Sequence, residues 1–153
     1  MESNNKLDPN QAGFRRGRFT VEQVGRLTQG IYDGFEDGLR TLVVYVDFSK
    51  AYDKVWRNKL YAKMGEMEIP GCLTKWVQSM LADRRSYVNW YGSKSKKRRF
   101  DNGVPQGSVI SPLLWLIYIN DLASSLPAEV KFGIGKSLFA DELALVVQRQ
   151  DVS

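Results

Sequence analysis

Three carboxylates stand where apolar runs end. Leu42-Val43-Val44-Tyr45-Val46 leads into Asp47, and Ser137-Leu138-Phe139-Ala140 leads into Asp141 and Glu142. Hard oxygen donors held on rigid strand ends, far apart in sequence but able to meet in space, are what a two-metal phosphoryl-transfer site needs. A carboxylate ending a buried strand must also have its charge offset by a cation or hydrogen bonds. Each also has a plain alternative. Asp47 can cap a following helix, as Asp53 is placed to do. Asp141 and Glu142 can form a solvated hairpin turn, although neighbouring carboxylates repel unless they share a cation. Between the two clusters lies Gly103-Val104-Pro105-Gln106-Gly107-Ser108. Its glycines allow the backbone to approach a ligand closely, and Gln106 can donate and accept toward a sugar or base. Its alternative is an ordinary loop leading into a capped helix.

The chain has no histidine, which removes Ser-His-Asp and Cys-His mechanisms and histidine-based metal sites together. Any chemistry runs on carboxylates, lysines, tyrosines or a metal. The single Cys72 excludes an internal disulfide and fits a reducing compartment. The 22 Lys and Arg outnumber the 17 Asp and Glu, and the resulting +5 charge favours a polyanionic partner such as nucleic acid. The polar N-terminus lacks an apolar signal region, and the longest apolar run, Leu113 to Ile119, is too short to span a bilayer. These features point to an intracellular protein of the nucleus or cytoplasm, neither secreted nor in a membrane. The 153 residues suffice for one domain with a real core.

The elements that must position these residues read as α+β, without the regular strand–helix alternation of a doubly wound fold. Thr20 and Gln23 suggest a capping box, and Val24, Leu27, Ile31 and Phe35 recur at helical spacing. Gly34 and Gly38 loosen that helix before a strand at 41–46. Tyr52, Trp56, Leu60 and Met64 form one stripe of a second helix. Pro70-Gly71 then breaks the chain before a third helix marked by Leu73, Trp76, Val77, Met80 and Leu81. Tyr87 to Tyr91, a Gly92-Ser93 turn and Lys96 to Phe100 read as a hairpin. Ser111-Pro112 suits the cap and first position of a helix reaching about Leu122. Val130-Lys131-Phe132 and Leu143 to Val147 are the last strand candidates. Lys94, Lys96, Lys97, Arg98 and Arg99 either contact a phosphate backbone or form a solvated hairpin face. For Trp90 and Tyr91, core packing is expected ahead of base stacking.

Together the three chemistry-bearing segments match, in order and spacing, the polymerase motifs usually called A, B and C. The chain from about Asn10 to Val147 resembles the reverse transcriptase domain of non-LTR (LINE/jockey-like) retrotransposons, an RNA-directed DNA polymerase. Gln11-Ala12-Gly13-Phe14-Arg15-Arg16-Gly17-Arg18, with Thr20 and Gln23, resembles the segment preceding motif A. The joint match argues against a basic interaction domain whose acidic turns are incidental.

The resemblance implies the fingers–palm portion of a right-hand polymerase, an antiparallel palm sheet packed on helices with the thumb absent, over residues 1–153 as a partial domain. It implies that Asp47, Asp141 and Glu142 are catalytic and hold two magnesium ions, with manganese as a substitute. Phe48, Tyr52, Pro105, Gln106 and Gly107 would meet the incoming nucleotide, Tyr52 as the aromatic that blocks a ribose 2′-hydroxyl. Arg15, Arg16 and Arg18 would lie near template, and Lys96, Lys97 and Arg98 are further nucleic-acid contacts. The implied partners are an RNA template, a DNA primer, deoxynucleoside triphosphates, and the fingers and thumb segments of a parent polyprotein. Where the family has a second aspartate, this chain has Glu142. The extra methylene moves the carboxylate by on the order of 1 Å, a displacement that costs about a hundredfold in rate at a well-fitted site. With the flanking segments absent, this implies weak or no activity. The alternative reading is a non-catalytic nucleic-acid-binding remnant of a decayed element.

Overall fold

The structure is a computed structural model and describes residues 6–126 and 135–150. In chain order its first elements are α1 (Thr20–Glu36), β1 (Arg40–Asp47), a 3₁₀ turn (Tyr52–Lys54), α2 (Arg57–Glu66) and α3 (Gly71–Leu81). Four two-residue strands follow, β2 (Arg85–Ser86), β3 (Asn89–Trp90), β4 (Ser93–Lys94) and β5 (Arg98–Arg99). The last elements are α4 (Ser111–Ile119), α5 (Leu122–Ser125), β6 (Gly135–Phe139) and β7 (Glu142–Arg149). The class is α+β, with antiparallel sheets and helices, as the sequence implied. Val130-Lys131-Phe132 lies outside the described residues. The chain divides into two compact units, Met1–Ser49 with Ile119–Ser153, and Lys50–Tyr118.

The first unit is built on a three-stranded antiparallel sheet in the order β1-β7-β6. The apolar run before Asp47 forms β1, and β7 pairs with it along its whole length, from Arg40↔Arg149 to Asp47↔Glu142. Alternation sorts the side chains onto two faces. Leu138 and Leu143 are buried with Ala123, joined by Phe48, Leu122, Leu126 and Leu145. On the face of opposite parity, the Gln148 amide donates to the Gly30 carbonyl of α1. Gly34 makes that approach possible, because a Cβ there would lie 2.2 Å from Gln148 Nε2. The end of α1 is a Schellman motif. The Leu39 N–H reaches the Gly34 carbonyl (2.8 Å), the Gly38 N–H reaches Phe35, and Gly38 takes a φ of +67°. This closes the helix and turns the chain directly into β1.

Two expectations for α1 fail. Phe19, extended at φ −124°, is the N-cap and makes no side-chain cap bond, while Thr20 is already the first helical residue. The capping box is absent because the cap residue itself must be extended. The stripe is also only partly used. Val24 and Phe35 are exposed, and the buried positions are Gln23 and Gly34. The sheet selects the face of α1 that is covered, and it selects the one carrying the small residue.

In the second unit, Val55, Leu60, Met64, Val77, Leu81 and Val104 are buried. The expected stripe through Tyr52, Trp56, Leu60 and Met64 is interrupted. The chain makes a 3₁₀ turn and leaves helical geometry at Val55, and exposed Trp56 is the N-cap of α2. α2 and α3 pack on each other. Buried Arg57 donates through Nε to Gly103 O (2.9 Å), through NH1 to Leu81 O (2.7 Å) and through NH2 to Asn102 O (2.9 Å). Burial pushes its guanidinium below the ordinary arginine value.

Between Leu81 and Asn102 runs a ribbon of two short ladders, β2 with β5 and β3 with β4. The hairpin exists, but its turn is Tyr91-Gly92 rather than Gly92-Ser93, and every residue from Arg85 to Phe100 is exposed. Trp90 and Tyr91 are therefore not core residues. Trp90 pairs with Ser93 at the tip of a two-residue ladder, with too few neighbours to cover either ring. α4 is apolar on all sides and correspondingly buried at Leu114, Trp115, Leu116 and Ile117. Ser111 is its first residue and does not cap it, because its hydroxyl donates to the Pro105 carbonyl (2.6 Å). The helix stops at Ile119, and Leu122 begins the separate short α5.

Candidate active site

Antiparallel pairing places the carboxylates. Asp47 ends β1 and stands directly opposite Glu142, the first residue of β7. Opposed residues in such a ladder have Cβ atoms about 5 Å apart and share a face. Asp141 occupies the β6–β7 turn, whose closing pair is Phe139↔Glu142. The Phe48 N–H donates to the Asp141 carbonyl (3.1 Å), fastening the turn to the residue after Asp47. Asp47 and the adjacent Asp141 and Glu142, more than ninety positions away in sequence, are thus brought to one end of one sheet.

The turn is held from a second side. Leu138 donates to the Asn10 carbonyl (3.0 Å) and accepts from the Ala12 N–H (2.8 Å), so residues 10–12 run beside β6. Gln11 is buried, and its Oε1 accepts from the Gly13 N–H (2.8 Å). Gly13 lies hard against the turn. A Cβ there would be 2.0 Å from Ala140 N and 2.6 Å from Ala140 Cα, which backbone atoms cannot yield. Arg15 donates through NH1 to the carbonyls of Asp8 (2.8 Å) and Gln11 (3.1 Å), bracing this segment from within. Arg16 is exposed and Arg18 half-buried. Ala140 carries the strain of the turn with a φ of +56°. A side chain in that region costs roughly 1 kcal/mol or more.

Beside the carboxylates, within the first unit, is a cavity of about 310 Å³. Val24 and Leu27 of α1 face Tyr45 and Ala144 of the sheet across it, and Asp47 and Glu142 also line it. Among the described residues, no three Asp, Glu, His or Cys side chains gather closely enough to hold a metal alone. The donor set nevertheless fits magnesium. It offers only hard oxygens, and magnesium is ordinarily held by one or two carboxylates completed by water and substrate phosphate.

The remaining sequence-derived candidates belong to the second unit. Tyr52 begins the 3₁₀ turn and stacks on Trp115 with ring centroids 6.0 Å apart. Its carbonyl accepts from the Val104 N–H (2.8 Å), which draws the Pro105-Gln106-Gly107 loop to the Tyr52–Lys54 turn. Gln106 Nε2 donates to Asp53 Oδ1 (3.2 Å). Gly103 serves packing rather than a ligand, since at φ +80° its Cα approaches the Asp53 main chain so closely that a Cβ would meet Asp53 O at 2.7 Å. Gly107 also has a φ of +80° but faces open space. Lys96, Lys97 and Arg98 lie exposed on the ribbon. Two supporting residues escaped sequence reasoning. Gly13 had one signal, a glycine inside an otherwise apolar and polar motif, and Arg57 had none, since one arginine on a polar helix start looks solvated.

Residues 1–152 match the Reverse transcriptase (RNA-dependent DNA polymerase) family, and the chain belongs to it. Its relatives are the RNA-directed DNA polymerases of non-LTR retrotransposons, as the motif order implied. A probable RNA-directed DNA polymerase from transposon BS of Drosophila melanogaster is 40% identical over 116 residues, 76% of this chain and 13% of the relative. The corresponding protein from transposon X-element of the same fly is 31% identical over 148 residues, 95% of this chain and 16% of the relative. The RNA-directed DNA polymerase of its mobile element jockey is 29% identical over 144 residues, 93% of this chain and 16% of the relative. The chain therefore spans about a seventh of the length of these relatives. Among solved structures, apo telomerase from Candida tropicalis, truncated from its C-terminal domain, matches with a TM-score of 0.68. That match has 15% identity and covers 90% of this chain and 30% of the telomerase chain, a likeness of fold.

Proposed function

We propose that this chain is the fingers–palm portion of an RNA-directed DNA polymerase, carrying the carboxylates that transfer a nucleotide to a primer 3′-hydroxyl. The observation that carries the reading is the register Asp47↔Glu142, with Asp141 tied to Phe48 one residue away. Asp47, Asp141 and Glu142 would hold two divalent ions, magnesium or in its place manganese. When bound, these neutralise triphosphate charge and ease deprotonation of the primer hydroxyl. The chain's own contribution is placement. β1 and β7 set Asp47 and Glu142 opposite each other on one face, and the β6–β7 turn carries Asp141. Tyr52, Pro105, Gln106, Gly107 and the backbone at Phe48 are the proposed nucleotide contacts, with Arg15, Arg16 and Arg18 toward the template. RNA template, DNA primer and deoxynucleoside triphosphates are the partners, together with further fingers and thumb segments of the parent protein. No helix among the described residues is long and apolar enough to cross a membrane.

Glu142 favours a second reading, a nucleic-acid-binding remnant without catalysis, because the departure falls directly opposite Asp47. Primer extension on an RNA template with magnesium separates the two, comparing the chain with its Glu142→Asp and Asp47→Ala forms. The polymerase reading expects incorporation above the Asp47→Ala blank and a gain on the order of a hundredfold on restoring aspartate. Folded protein that extends no primer in either form rejects catalysis by this chain.

A further inference from the structure

We infer that the exposed ribbon of the second unit, from Arg85 to Arg99, is a binding arm for single-stranded nucleic acid that stacks bases on Trp90 and Tyr91. The rings are unusually open. Trp90 is 71% and Tyr91 93% exposed, at the tip of the β3–β4 hairpin. Tyr91 and Gly92 both have positive φ, +45° and +83°, the pattern of a type I′ turn. That geometry tolerates asparagine or glycine easily and a tyrosine poorly, so a ring is kept at the tip at a conformational cost. The two rings meet edge-to-face with centroids 5.0 Å apart, leaving ring faces open.

Charge surrounds the rings. Lys94 sits over the Tyr87 ring at 5.3 Å, and Lys96, Lys97 and Arg98 have no carboxylate within ion-pair distance among the described residues. On the lower ladder Arg85 stands directly opposite Arg99. Opposed like charges destabilise a strand pair. Among the described residues, the exposed Asp83 and Asp101 are what offset them. A polyanion laid along the ribbon would relieve that repulsion. Ring faces beside free cations suit a strand with unstacked bases, since a duplex offers phosphates but hides its base faces. An acidic peptide would satisfy the cations and leave the rings unused.

The arm uses none of the three carboxylates, so its test needs no metal and no catalysis. Fluorescence anisotropy of a labelled twelve-nucleotide uridine RNA with the full chain in EDTA measures it directly. Trp90→Ala with Tyr91→Ala is expected to weaken binding by roughly tenfold or more with the salt slope unchanged. Lys96→Ala, Lys97→Ala and Arg98→Ala together are expected to lower the slope by about 2. Because the ribbon is exposed, both variants should melt with wild type. Should either not, Trp90→Phe serves instead, since wild-type fluorescence should be quenched by RNA and that variant's quench largely lost. Equal affinity of the aromatic variant, equal competition by duplex RNA, or equal competition by polyglutamate would each overturn the inference. Competition by the matching DNA oligonucleotide as strongly as by RNA supports an arm without sugar preference, and weaker competition supports one for RNA. RNA binding without primer extension supports the arm and rejects catalysis. Extension with unchanged RNA affinity in the aromatic variant does the reverse.

Discussion

The β6–β7 and β3–β4 hairpins use the same device in opposite ways. Each turns in two residues, and each places a non-glycine residue in the left-handed region at the first turn position, Ala140 at +56° and Tyr91 at +45°. The acidic hairpin is pinned at its tip by Gly13 on one side and the Phe48 N–H on the other. Among the described residues, nothing lies against the Gly92 position at the tip of the basic hairpin. This hairpin is clamped at its root, where Arg57 holds Leu81 O before the ribbon and Asn102 O and Gly103 O after it. The difference fits their proposed tasks. Carboxylates that share an ion must be located to a fraction of an ångström, whereas an arm that follows a flexible strand gains from a free end.

The comparison breaks most decisively at Arg57. Arg57→Ala should cost about 4 kcal/mol, because it leaves three carbonyls without their charged donor in a buried setting. Urea denaturation checks this, and a loss under 1 kcal/mol would mean the root is not clamped there. Gly13→Ala comes next, with an expected loss of about 3 kcal/mol from overpacking against the Ala140 backbone. Gly25→Ala, a helical glycine facing open space, should instead gain up to about 1 kcal/mol. If Gly13→Ala behaves like Gly25→Ala, the acidic tip is not pinned. The smallest effects sharpen the contrast. Tyr91→Gly and Ala140→Gly both relieve a left-handed side chain and should each stabilise by about 1 kcal/mol or less. In hydrogen exchange the ribbon amides of Asn89 and Trp90 should exchange much faster than Leu138, with Ala140→Gly leaving Leu138 protected.

The acidic site was legible because strand ends carry their own punctuation, an apolar run stopped by a carboxylate. The register that brings Asp47 opposite Glu142 belongs to the fold, since two apolar runs alone do not say how they pair. The family resemblance supplied roles that spacing could not. What the sequence hid was what each neighbour had to avoid or hold. Gly13 looks like a flexible loop residue until Ala140 is brought against it. Arg15 reads as a free cation until two carbonyls claim it. Trp90 and Tyr91 read as core because large rings usually are, and only the two-residue ladders reveal that both stay exposed among the described residues. The helix stripe of α1 failed similarly, since periodicity names the possible faces and the partner sheet chooses among them.

The discontinuity of the first unit has a consequence for biosynthesis. Its sheet joins Met1–Ser49 to Ile119–Ser153, and Asp8 bonds Asn120 across 112 positions. β1 therefore emerges from the ribosome without its strand partner β7, and the whole of Lys50–Tyr118 is made before β7 exists. Contacts of such long separation form late and slowly. A ribosome stalled anywhere before β7 would release a chain with an unpaired apolar edge and no assembled acidic cluster. Nascent fragments thus carry an uncovered apolar strand, and Asp47 meets Glu142 only once translation has passed β7.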